Sequence, residues 1–141
     1  MKLRDLGEFA VIARVERAAR KVRAGGQVVL GIGDDAAVLR PRDGDDIVVS
    51  TDASVEGVHF RWQTESARTV GRRALVASLS DLAAMGARPL GFTWALAAPA
   101  GLSVARLDGL IAGLLQEASA HRCPLIGGNV TSAGETILTL T

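Results

Sequence analysis

Cysteine is almost missing from this chain. Cys123 stands alone in 141 residues, so no intrachain disulfide can form. A reducing, cytoplasmic setting fits that usage. Aromatic residues reach only 4%, which removes the stacking platforms that hold single-stranded nucleic acid. An excess of one charge is also missing: the formal net charge is +1, which argues against nucleic-acid binding by phosphate neutralisation. Lysine occurs only at positions 2 and 21, and the other basic residues are all arginine, a pattern that reflects genome composition. No long apolar run exists. The longest weakly charged stretch, residues 89–104, is broken by Pro99 and Gly101 and is unfit to span a membrane. The opening MKLRDLGEFA lacks the apolar segment of a secretory leader. There is no internal repeat, no low-complexity tract and no Walker A loop.

What is present suffices for one ordinary domain. Hydrophobic residues make up 48% and the mean hydropathy is +0.26, enough for a core in a chain of this size. Asp5 followed by Glu8 resembles a capping box. Phe9, Ile12, Ala13, Ala19 and Val22 then recur at helical spacing, predicting a helix over residues 7–24 closed by Gly25 and Gly26. Short apolar runs follow at 28–30 and 36–39, then a turn at 42–45. The β-branched run at 47–51 predicts a buried strand. Ser66 caps a second helix reaching Met85 and stopped by Gly86. Residues 89–98 predict a strand with Phe92 and Trp94 on one side. Ser103 caps a third helix through Leu115, and strands follow at 124–126 and 136–141. The expected order is α β β β α β α β β. The final ILTLT reads as strand rather than polar tail, the expectation for a domain cut from a longer polypeptide.

The stretch LGIGDDAAVLRPRDGDDIVVSTDASVEGVHF, residues 30–60, is crowded with carboxylates. In GIGDD the adjacent Asp34 and Asp35 repel unless solvent or a cation separates them; the plain alternative is an exposed turn. Ser50, Thr51 and Asp52 end the IVVSTD run with hard oxygen ligands suited to Mg²⁺. Asp81 lies among Leu79, Leu82 and Ala83, where a carboxylate is costly unless paired or metal-bound; Ser78 and Ser80 allow the alternative that it faces water. In IGGN, Gly127 and Gly128 would let a phosphate or ribose approach the backbone before Asn129, or would simply form a turn. His59, Arg61, Arg72, Arg73 and Arg88 are the candidate anion partners. Trp62, Trp94 and Cys123 read as packing residues. Taken together, the oxygen-rich clusters favour Mg²⁺ over zinc or a redox metal. A nucleoside triphosphate is the common ligand that brings both negative charge and a need for Mg²⁺.

The order GEFAVIARV, GIGDDAAVL, STDASVEGVHF, ALVASLSDLAAMGARPLGFTWALAAP and PLIGGNVT resembles the N-terminal domain of the thiamine-monophosphate kinase family, within the AIR synthase (PurM-like) superfamily. STD–VEGVHF and LSDLAAMGA are its specific parts. The resemblance implies an α+β, PurM N-terminal-like domain covering residues 1–141, with a mixed β-sheet packed by helices and sheets pairing across a homodimer. It implies ATP bound with several Mg²⁺ ions, and thiamine monophosphate as acceptor. By motif position Asp35, Ser50, Thr51, Asp52 and Asp81 would bind metal, Asp34 being the weaker of its pair. His59 would face the substrate, and Gly128 and Asn129 would meet the nucleotide. Many members carry aspartate at position 129; asparagine keeps an oxygen ligand and loses a charge. The family's C-terminal domain, which completes the substrate pocket, is absent from these residues. Another ATP-using member of the superfamily and a non-catalytic dimerisation domain are the alternative functions. Selenophosphate chemistry fits poorly, since no cysteine lies near the N-terminus.

Overall fold

The computed structural model describes residues 1–141. After a short 3₁₀ turn at Leu3–Asp5 come α1 (Glu8–Ala19), β1 (Val28–Leu30), β2 (Val38–Leu39) and β3 (Asp52–Val55). Then follow α2 (Ala67–Ala84), β4 (Phe92–Ala98), α3 (Val104–Ala120), β5 (Leu125–Ser132) and β6 (Ile137–Leu140). The main sheet has the order β3-β6-β4-β5, with β4 and β5 parallel and the other pairs antiparallel. This is the expected α+β architecture with a mixed sheet. No helix is long and apolar enough to cross a membrane.

Local chemistry explains the helix ends. Asp5 does not cap α1; it accepts from the Lys2 N–H at 2.7 Å and closes the preceding turn, while Gly7, at φ +75°, stands at the N-cap. The helix stops at Ala19, short of the expected residue 24. There the amides of Lys21 and Val22 turn to carbonyls three residues back, which tightens the last turn. The Ser66 hydroxyl accepts from the Thr69 N–H at 3.1 Å, and Ser103 does the same for Arg106 at 3.2 Å. Gly86, at φ +67°, closes α2 as its sequence predicts, with the Ala87 N–H donating to the Leu82 carbonyl at 2.9 Å. Helix α3 ends in the same motif, but Arg122 occupies the left-handed position at φ 53°. A side chain there costs about 1 kcal/mol. Arg122→Gly should therefore stabilise the domain by about 0.5–1 kcal/mol, read as a higher urea midpoint at unchanged slope.

The core lies between the sheet and helices α2 and α3. Phe92, Trp94, Leu96 and Ala98 alternate inward along β4, as period two requires, and meet Leu138 and Leu140 of β6. Val70, Ala74 and Leu75 of α2 and Leu107, Leu110 and Leu114 of α3 fill the other side. The two helices approach closely because Gly71 and Gly113 offer no Cβ to the opposing backbone. Glu117, buried on α3, accepts from Arg72 Nε at 2.6 Å, and Arg68 reaches Gln116 at 2.7 Å. Arg14 of α1 forks onto Asp108 of α3; the guanidinium holds that carboxyl below its ordinary range, chiefly through the hydrogen bond. Cys123 is buried as expected, and burial pushes its thiol up to about 12.

One expected strand is not formed. Residues 47–51 have no ladder partner, and Ile47 and Val49 are 53% and 71% exposed. Register explains this. Asp52 faces Leu140 in an antiparallel pair, so residues before Thr51 project past the end of β6. Regular pairing begins only at Asp52. The 28–30 and 36–39 runs do pair with each other, as the small hairpin β1–β2, but Val29, Leu30 and Val38 stay exposed.

Candidate functional site

The Ser-Thr-Asp run sits where the extended segment enters the sheet. Ser50 Oγ donates to Asp81 Oδ2 at 2.8 Å. Two candidates that lie 31 residues apart in sequence are thus in direct contact. Thr51 Oγ1 donates to the Leu140 carbonyl at 3.1 Å and lies 3.0 Å from Thr141 Oγ1. Asp52, half-buried, opens β3. Asp81 is exposed on the C-terminal half of α2 rather than on its buried face, so burial does not explain it. Ser50 meets Asp81 of α2, whereas the Thr51 hydroxyl is tied to the end of β6.

His59 is held in the turn that follows β3. Gly57 adopts φ +83°, its N–H donates to the Phe60 carbonyl at 2.8 Å, and the His59 N–H donates to the Val55 carbonyl at 2.8 Å. The Val55 N–H, on the edge strand, donates to His59 Nδ1 at 3.1 Å. Because Nδ1 accepts, the ring proton resides on Nε2. His59 thus satisfies an edge amide and keeps one N–H donor free. Asp52, Ser54, His59, Phe60, Arg73 and Ser80 are among the residues lining one cleft of about 380 Å³. A larger cleft of about 690 Å³ lies alongside, between the 44–50 segment, α2 and the start of β4, with Ser50, Ser78 and Arg88 at its wall.

The remaining candidates lie elsewhere. Asp35 belongs to the loop between β1 and β2, where its N–H donates to Asp34 Oδ1 at 2.8 Å; Gly33 in that loop faces Glu16 of α1. Gly128 and Asn129 are within β5, not at a turn. The row of Asn129 runs through Ala95 and Thr139 to Ala53 across the sheet, which puts Asn129 about 14 Å from β3 at three strand spacings. Gly128 has a packing reason of its own, since a Cβ there would strike the Trp94 carbonyl. No group of three or more His, Cys, Asp or Glu side chains lies within reach of one ion. Of the candidate anion partners, Arg72 is engaged by Glu117 and Arg73 by Glu65, which leaves Arg61 and Arg88 without ion pairs. The β3–α2 contact through Ser50 was not legible from spacing; it needs the register that brings residue 50 under α2.

Electrostatically the stretch is unbalanced. None of Asp34, Asp35, Asp43, Asp45, Asp46, Asp52 and Asp81 has a basic side chain within ion-pair distance. The chain's ion pairs serve its helices instead.

The mixed four-stranded sheet packed by helices is the framework on which these candidates lie. The family model described as AIR synthase related protein, N-terminal domain, matches residues 33–141, and the chain belongs to that family. It is 45% identical over 109 residues to the thiamine-monophosphate kinase of Synechococcus elongatus, covering 77% of this chain and 33% of that protein. It is 38% identical over 139 residues to the Mycobacterium tuberculosis thiamine-monophosphate kinase, covering 99% and 40%. The crystal structure of thiamine-monophosphate kinase from Stenotrophomonas maltophilia superposes with a TM-score of 0.76 at 41% identity, covering 96% of this chain and 41% of that one. AaThiL complexed with AMPPCP and TMP shares the fold, with a TM-score of 0.63 at 23% identity, covering 99% and 42%. This chain therefore spans about two fifths or less of the length of these relatives.

Proposed function

We propose that this chain is the Mg²⁺- and ATP-binding part of an enzyme that phosphorylates thiamine monophosphate to thiamine diphosphate. The observation that carries this reading is the 2.8 Å hydroxyl–carboxylate bond from Ser50 to Asp81, which brings the Ser-Thr-Asp run to α2 with neither Asp52 nor Asp81 held in an ion pair. The similarity to thiamine-monophosphate kinases along almost the whole chain supplies the substrate.

The donor set fits the ion. Hydroxyl and carboxylate oxygens suit Mg²⁺, and no thiolate or imidazole cluster competes. Ser50, Thr51, Asp52 and Asp81 would hold it, with Asp35 contributing from the β1–β2 loop. When bound, Mg²⁺ shields the two reacting phosphates from each other and neutralises charge on the transferred group. The acceptor phosphate is already ionised near neutral pH, so the chain needs no strong general base. Its residues have a positioning task. His59 offers its Nε2–H in the cleft it shares with Asp52, a donor matched to an anionic substrate. Gly128 and Asn129 offer backbone and amide contacts to the nucleotide along β5. The second protomer of a homodimer would cover the open sheet face, which presents Ala53, Thr93, Ala95 and Thr139, and the exposed Ile47–Val49 segment.

The test mixes the purified chain with ATP and thiamine monophosphate, with and without Mg²⁺. ATP binding is followed by titration calorimetry and thiamine diphosphate by chromatography. ATP binding that requires Mg²⁺ is expected; product would show that this domain suffices for transfer, and its absence would mark the chain as the ATP-binding part alone. ATP binding that ignores Mg²⁺ would overturn the metal assignment, and a stable dimer that binds no ATP would replace this reading with a scaffold role.

A further inference from the structure

We infer that Arg106 is a positioning residue for His59, acting through Trp62 and Phe60. Arg106 is the third residue of α3, in the first turn after the Ser103 cap. The macrodipole makes that turn a poor place for a cation, and no carboxylate stands within ion-pair distance to offset it. Its guanidinium carbon instead lies over the Trp62 ring, 4.8 Å from the centroid, within cation–π range. Trp62 in turn meets Phe60 edge-on, with centroids 4.8 Å apart and planes at 68°, a favoured aromatic geometry. Phe60 is only 4% exposed and is the anchor of the 55–60 turn.

The stack ends at the imidazole. Phe60 follows His59 directly, and its carbonyl accepts from the Gly57 N–H. The same turn sets the Val55 N–H to His59 Nδ1 bond that keeps the proton on Nε2. If Phe60 moves, the turn loosens, and the 3.1 Å bond to Nδ1 is weakened, since it is made by a side chain that can rotate away while the turn's other bonds are backbone to backbone. The ring would then exchange its proton between nitrogens and lose its fixed donor. An exposed arginine on α3 thus selects the tautomer of a histidine after β3. Its consequence for substrate phosphate rests on the function proposed above; the tautomer selection itself does not.

The experiment records long-range ¹H–¹⁵N imidazole spectra of the ¹⁵N-labelled chain without ligand at about pH 8, where imidazole is largely neutral. His121→Gln assigns the two histidines. The parent should show His59 mainly as the Nε2–H form. Arg106→Ala should lower that tautomer ratio about fivefold, the equivalent of one net hydrogen bond, and Arg106→Lys should recover part of it. Arg68→Ala, which removes another exposed arginine bridging α2 and α3, should leave it unchanged. His59 signals that coincide in Arg106→Ala and the parent would overturn the inference, as would an equal shift in Arg68→Ala. Should Arg106→Ala not fold, Trp62→Phe weakens the same cation–π contact and must move the ratio the same way. Neither ATP nor Mg²⁺ is present, so failure here and failure of the kinase reading are seen separately.

Discussion

Asp81→Asn and Asp52→Asn should each weaken Mg²⁺-dependent ATP binding by at least about tenfold, the lower end of what disturbing a metal site costs, while leaving the free chain as stable as before or more so. The two halves of this result have one cause. Neither carboxylate is held in an ion pair, and both belong to a chain segment or helix end with no compensating partner. Without an ion, removing one negative charge relieves repulsion; with the ion, it removes part of the attraction. Asparagine keeps the shape of aspartate, and at position 81 its carbonyl oxygen can still accept from Ser50 Oγ. A loss of fold is therefore not the expected route. Thermal denaturation reads both halves: similar midpoints for free proteins, and a smaller rise on adding Mg²⁺ and ATP for the variants. Variants that bind Mg²⁺·ATP like the parent would remove Asp52 and Asp81 from the metal assignment. Asp35→Asn sharpens the test. Asp35 lies in the β1–β2 loop and makes no hydrogen bond to Ser50 or Asp81, so a comparable loss there requires that loop to reach the same ion.

The elements that were legible in the sequence carry local signals strong enough to act alone. Ser66, Gly86 and Ser103 bound their helices as the capping rules require, because each satisfies orphan backbone groups within a few residues. Phe92 and Trp94 share a face because β4 is packed on one side by helices. Residues 47–51 look like a strand but form none, because β-propensity reports a fit to a pleated surface and not the presence of a partner strand. Here the 140–52 register leaves them beyond the last paired residue. The 124–126 strand was too short for a related reason: Gly127 and Gly128 look like a turn in isolation, yet β4 accepts them as strand because Gly128 lets the Trp94 carbonyl approach. In the site, residue types pointed to an oxygen-rich cation chemistry, but not to who touches whom. Ser50 meeting Asp81 depends on how α2 crosses β3. The Arg106–Trp62–Phe60 stack depends on α3 returning past the 55–60 turn. Neither leaves a mark in spacing.

Gly113→Ala should destabilise the domain by about 2 kcal/mol or more, although helix propensity alone favours alanine by about 1 kcal/mol. The two effects have opposite sign, so the outcome decides between them. Gly113 lies in α3 where α2 crosses it. An added Cβ would fall on the Arg68 carbonyl oxygen and within 2.8 Å of the Arg72 amide nitrogen. Both are backbone atoms of a continuous helix and cannot swing aside. Relief requires α2 and α3 to move apart, and overpacking of this kind costs about 1–3 kcal/mol, occasionally more. Separation also stretches the ties that flank the contact, Arg72 to Glu117 and Arg68 to Gln116. Glu117 is buried, so weakening its partner leaves a carboxylate poorly compensated. Against a total of about 5–15 kcal/mol for a domain, this loss should lower the urea midpoint clearly at unchanged slope. Because α2 also carries Asp81 to Ser50, the variant should bind Mg²⁺·ATP less tightly even where it remains folded. A raised midpoint in Gly113→Ala would mean that the helices stand further apart than this, and that glycine at 113 is not needed for the crossing that brings α2 over β3.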